Sequence, residues 1–166
     1  MDKEKETKSK TEEIRMEDKI TLTSIAPWLT GFNRMLSTGS VSIAPNGSVR
    51  LSREEVLAQG QSGNKLITGI DGMGTHATLY IEDEWTRKEL GFDTDDKKQT
   101  VINKKLVKDM FDKKTLPAFK KAVEENIVTR AEKFSLLSII KTLKINDYEK
   151  IAFCEEHCGA KLSTVQ

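Results

Sequence analysis

Three groups of side chains in this sequence have types and spacings that could do chemistry. Cys154, His157 and Cys158 stand at i, i+3 and i+4, so a helix would place two thiols and an imidazole on one face. These are zinc-type ligands. A tetrahedral structural site needs a fourth ligand, and a catalytic one needs an open position and a general base. The other histidine, His76, lies in the other half of the chain. Cysteine acting as a small core hydrophobe explains the pair more simply, so the three stand as metal candidates while the expected cofactor content is none.

The second group lies in the stretch Gly69-Ile-Asp-Gly-Met-Gly-Thr-His76, where Asp71, Gly72, Gly74 and His76 are candidates for a ligand loop. Glycines let a backbone approach a phosphate closely. The stretch follows neither the G-x-x-x-x-G-K-[ST] nor the G-x-G-x-x-G spacing, and β-rich residues follow it rather than a long helix. A hairpin tip at Asp-Gly is the simpler reading. Pairing of Asp71 with His76 across that tip would be the one catalytic arrangement, and no serine- or cysteine-centred motif completes it.

The third group is a run of nine lysines between 97 and 121, set against only Asp109 and Asp112. Of these, Lys97, Lys98, Lys104, Lys105, Lys108, Lys113 and Lys114 are the nucleic-acid candidates. On a helix, Lys104, Lys105 and Lys108 fall opposite Ile102, Leu106 and Met110, a ridge able to displace counterions from phosphates. Arginine is nearly absent from the run, which removes the usual base-reading group. A solvated face and a face docked on the acidic N-terminal half, in cis or on another copy, are the competing readings. The C-terminal stretch also departs from a helix-turn-helix, because Ala152 and Gly159 are seven residues apart.

The elements that must position these groups divide into two halves. Between Ser24 and Ser37, the residues Ile25, Trp28, Leu29, Phe32, Met35 and Leu36 recur at three and four, which predicts a helix with Pro27 in its first turn. Val41 to Ile43 and Val49 to Leu51 alternate about Pro45-Asn46-Gly47, a hairpin signature. Ser52-Arg-Glu-Glu55 is a capping box for a short helix. Residues 65–70 and 75–82 predict a second hairpin about Asp71-Gly-Met-Gly74, and Asp83 caps a short helix after it. Three or four helices follow, with starts expected at Thr100, Thr115 with Pro117, and Asn146 with Asp147, and with Gly159 as the last stop. The broad apolar arc from Phe134 to Leu143 marks the most buried helix.

This order predicts an α+β fold: an antiparallel, hairpin-built sheet with covering helices, followed by a small helical bundle. The expected segments are a flexible charged tail (1–19), an α+β unit (20–96), a helical unit (97–159) and a C-terminal tail (160–166). The 166 residues suffice to bury a core without staples. Net charge is only +1, but residues 20–96 carry six basic and ten acidic groups while residues 97–161 carry fifteen and nine. No apolar run reaches the roughly 18 residues of a membrane span, and the start lacks a signal-like apolar segment, so membrane partners are not expected. Two cysteines fit reduced thiols in a soluble, intracellular, cytoplasmic protein. The function expected is non-catalytic binding or assembly through protein–protein contacts, with a separate partner or by self-association. A nucleic-acid-associated protein using the lysine ridge is the alternative, and a metal-assisted enzyme the third reading.

Overall fold

The computed structural model describes residues 13–165, so the first twelve residues of the expected tail and the final Gln166 lie outside the described part. Residues 15–18, within the stretch expected as tail, are bonded to residues 53 and 54. The carbonyl oxygens of Met16 and Asp18 accept the amides of Glu54 (3.0 Å) and Arg53 (2.8 Å), and that of Arg15 accepts the Arg53 guanidinium.

The first strand, β1 (Lys19–Ser24), alternates Ile20, Leu22 and Ser24 inward with Thr21 and Thr23 less buried, the period of a half-buried strand. It is the centre of a three-stranded antiparallel sheet. On one side it pairs with β4 (Ser48–Ser52), Leu22 opposite Val49, and on the other with β5 (Leu79–Ile81), Leu22 opposite Ile81.

The helix expected over 24–37 does not form. Ile25 and Ala26 turn a corner, and β2 (Thr30–Asn33) pairs antiparallel with β3 (Ser40–Ile43) in a separate two-stranded sheet. The pairing needs a glycine: a Cβ on Gly31 would lie 2.9 Å from the Val41 carbonyl oxygen. Phe32 packs on the core, whereas Leu29, Met35 and Leu36 of the supposed stripe face solvent. Extended pairing across the sheet overrode a spacing that local sequence made look helical.

The Pro45-Asn46-Gly47 turn forms, with Asn46 at φ 52° and the Gly47 amide 2.8 Å from the Ala44 carbonyl. Its two arms, however, join different sheets instead of pairing with each other. The 24–26 corner is inserted there: Asn46 N–H donates to Ala26, and Ser24 N–H donates to Gly47.

Helix α1 (Arg53–Gln61) starts where the capping motif predicts, with Ser52 accepting the Glu55 amide at 3.2 Å. Residues 65–70 are not a strand. They hold a single helical turn, α2 (Lys65–Thr68), capped by Asn64, so the second expected hairpin reduces to β5 and one bridge between Gly69 and Thr75. Helix α3 (Glu84–Glu89) is capped by Asp83 as predicted.

The helical half comprises α4 (Lys104–Phe111), α5 (Leu116–Asn126), α6 (Arg130–Thr142) and α7 (Tyr148–Cys158). The caps at Thr115 and Asp147 and the left-handed Gly159 stop agree with the sequence signals. The first start moves from Thr100 to Asn103, whose Oδ1 accepts the Leu106 amide at 2.9 Å. The expected C-terminal tail contains a 3-10 turn (Leu162–Thr164), and buried Val165 accepts Lys141 Nζ at 2.6 Å.

The fold is therefore α+β, with an antiparallel sheet half and a helical half. One core gathers Leu22, Leu51, Val56, Ile67, Ile81 and Phe92, and the other Val107, Phe119, Leu136, Ile140 and Ile151. Ile25 and Ala26 belong to the helical core, and Trp28 meets Phe134 edge-on at 6.0 Å, so the halves share packing.

Candidate functional site

His76 stands at φ 56°, a left-handed conformation that a side-chain-bearing residue rarely adopts. Its Nδ1 lies 2.8 Å from both carboxylate oxygens of Glu132, which opens α6. The expected partnership with Asp71 is not made. The Asp71 Oδ1 instead accepts the amides of Met73 (2.8 Å) and Thr75 (3.2 Å) and shapes its own turn. Glu132 is buried and also accepts the amides of Val128 and Thr129 and the Thr129 hydroxyl, so its oxygens are well supplied with donors. A carboxylate-oriented imidazole is half of a general-base arrangement, and a nucleophile within its reach would complete it. Thr129 lines the cavity of about 430 Å³ beside His76, but its hydroxyl caps α6 and donates to Glu132. The pair ties the two halves of the molecule together.

The glycines of the same loop serve packing and turning. Gly74 is buried at φ 83°, and a Cβ there would meet Phe92 at 2.8 Å. Its carbonyl accepts Gln99 Nε2 at 2.9 Å. Gly72, at φ 77°, is exposed at the loop tip.

On α7, Cys154 is fully buried in the helical core and Cys158 is half-buried at its edge. Burial pushes the Cys154 thiol up to about 12 and the Cys158 thiol up to about 11, so both are protonated at neutral pH. His157 Nε2 donates to the Ile127 carbonyl at 2.6 Å, and its ring stacks on Phe153. Among the described residues, no group of three or more His, Cys, Asp or Glu side chains is placed to hold a metal ion.

Lys120 lies over the Phe153 ring at 5.2 Å, and the other eight lysines of the run separate into two sets. Lys97 donates to Thr75 Oγ1 at 3.1 Å, Lys98 reaches Glu84 at 3.7 Å, and Lys121 reaches Glu125 at 3.8 Å. Lys104, Lys105, Lys108, Lys113 and Lys114 are exposed on α4 and the turn after it, with no carboxylate within 4.0 Å among the described residues. Lys104 also stands on one wall of a groove of about 680 Å³ between the halves, with Glu82 on the groove too and Ile25, Ile102 and Ile139 among its apolar lining.

A further feature was not singled out in the sequence. The Glu55 side chain, 3% exposed, points away from its own helix end and accepts the amides of Met35 (2.6 Å) and Leu36 (3.2 Å). Gln59, one turn on, donates to the Asn33 carbonyl at 2.8 Å, and Arg34 N–H closes the loop on Gly39 at 3.0 Å. The loop after β2 is therefore clamped at its backbone while Met35 (51% exposed) and Leu36 (54%) project into solvent. At the other end of the same strand Leu29 is 69% exposed. In the sequence Glu55 showed only its capping spacing, because the clamp spans about twenty residues of chain.

No family model, no curated protein and no solved structure matches this chain.

Proposed function

We propose that this protein is a non-catalytic binding protein that acts through protein–protein contacts, with the clamped loop of residues 34–39 as its contact element. The observation that carries the reading is the pairing of two exposed apolar side chains, Met35 and Leu36, with a backbone held by buried Glu55 and Gln59. An exposed apolar side chain gains by leaving water, and a loop already held in shape loses little entropy when it docks. Few large anchors on a rigid support are what dominates most interfaces. The partner that fits presents an apolar cleft, on a separate protein or on a second copy of this chain. A non-catalytic role is supported by how the reactive groups are used: Asp71 in a turn, His76 and Glu132 in a tie, and both thiols kept protonated by burial. Two free cysteines suit a reducing compartment such as the cytoplasm. No helix among the described residues is long and apolar enough to cross a membrane.

The test is site-specific photo-crosslinking in the native cell from position 36, with position 89 on α3 as an exposed control. The reading predicts one dominant protein adduct from position 36 that is missing from position 89, whether a second copy or another protein. Equal, diffuse labelling from both positions would contradict it.

A further inference from the structure

Phe111 and Phe119 lie within the lysine run, but both pack in the helical core, so the ridge itself offers no exposed ring for a base. The fold supplies an exposed ring from the other end of the helical half. Lys150, in the first turn of α7, donates to the carbonyls of Phe111 (2.6 Å) and Lys113 (3.2 Å), docking the start of α7 on the end of α4. The first residue of α7 is Tyr148, which is 82% exposed. Asp147, the residue before it, lines a cavity of about 380 Å³ between α4 and the α6–α7 connection. Its lining is Lys108 at the ridge, apolar Phe111, Leu143 and Ile145, the polar Asn146, and the acidic Asp112 and Asp147.

The ridge itself is unusually placed. Lys104 and Lys105 occupy the first turn of α4, and Lys113 and Lys114 immediately precede the Thr115 cap of α5, with no acidic residue in either first turn. Helix N-termini repel cations, so these four positions gain nothing from their own helices. They do stand beside helix N-termini, whose positive ends attract the same anions as the ammonium groups. Lys108 lines the cavity, and exposed Lys144 lies in the α6–α7 connection between its lining residues Leu143 and Ile145. Carboxylates are present as well: exposed Asp109 and Asp112, Asp147, which caps α7 and lies 3.7 Å from Lys150, and exposed Glu149 next to Tyr148.

We propose that this face binds single-stranded nucleic acid. Phosphates lie along Lys104, Lys105, Lys108, Lys113 and Lys114, and a base stacks at Tyr148 and the adjoining cavity. Single strands fit better than a duplex because an exposed aromatic needs an unstacked base, and these lysines include no arginine fork to read base edges. The surface is distinct from the protein-contact loop, so each proposal can fail without the other.

The test is equilibrium binding of the full chain to labelled oligo-dT and oligo-U of about 20 nucleotides, a duplex of the same length, and heparin as a polyanion without bases. Expected is micromolar or tighter binding to single strands, weakening between about 50 and 200 mM salt with a log–log slope near −0.7 per phosphate. The K104Q/K105Q/K108Q variant should lose roughly two slope units and keep its melting temperature, since glutamine is a good helix former. Tyr148→Ala should weaken oligonucleotide binding about tenfold and leave heparin binding unchanged. The tighter of oligo-dT and oligo-U then names the natural strand, and either supports the proposal. Preference for duplex, equal loss of heparin and oligonucleotide binding in Tyr148→Ala, or no binding near 50 mM salt would each overturn it.

Discussion

Several side chains with chemical potential are given structural work here, each by exchanging water for a specific partner. Arg53 is buried between Asp18 (3.7 Å) and Asp83 (3.2 Å), and Arg87 is paired with Asp93 at 3.0 Å while donating to the Ile81 carbonyl. Such groups add little net stability compared with apolar replacements, but removing one partner strands a buried charge at about 3–5 kcal/mol. Cys154 and Cys158 follow the same logic in apolar form. With thiols raised to about 12 and 11, the folded state holds its protons more tightly than the unfolded chain, whose thiols titrate near 9. That stabilisation is complete below pH 9 and is lost as pH rises through 11 and 12. In the native protein at about pH 8, buried Cys154 should therefore react with a disulfide reagent only on the timescale of unfolding and half-buried Cys158 more slowly than a free thiol, while both react at once in denaturant. A thiol that reacts within seconds under the same native conditions would show that the α7 surface is reactive.

At the scale of elements, the clamp from α1 to the loop after β2 leads directly to a test. Replacing Glu55 with alanine removes the acceptor for two amides and should cost about 1–3 kcal/mol. Hydrogen exchange at Met35 and Leu36 should speed up by at least about tenfold, while the amides of α6 change only with global stability. Unchanged protection at both amides would mean the loop is held by something other than Glu55. The clamp also marks how far the sequence could be read. Elements announced by local chemistry were legible: the Ser52, Asp83, Thr115 and Asp147 caps, the Gly159 stop and the turn at Asn46-Gly47. Those decided by distant partners were not. The 24–37 stripe became a corner and a strand because Val41 and Ile43 offered a pairing edge. At 65–70 the miss was of another kind: the β-rich composition outweighed a local signal, the Asn64 cap of a helical turn. The candidate residues divide in the same way. The lysines were visible as a run, but which of them are unpaired depended on Thr75, Glu84 and Glu125. Glu132 stood in a Thr-x-x-Glu capping motif, yet its bond to His76 spans 56 residues. The start of α7, where Tyr148 stands, docks on the end of α4 through Lys150, 37 residues beyond Lys113.

Taken as a whole, the molecule has two halves with opposite charge, joined by Ile25, Ala26 and Trp28 on the helical core and by the His76–Glu132 tie. Each half presents its own surface, an apolar loop on the sheet side and a basic ridge on the helical side. The proposed protein binding through Met35 and Leu36 can be measured on the purified partner, once crosslinking from position 36 has identified it. The quantity to compare is that partner's affinity for the parent chain and for the Met35→Ser, Leu36→Ser double variant. Both side chains are half-exposed, so the variant should melt within about 3 °C of the parent. The expected result is at least about a tenfold loss of affinity, equivalent to about 1.4 kcal/mol, carried mainly by faster dissociation. Partner binding equal to that of the parent chain, in a variant that is fully folded, would refute protein binding through this loop.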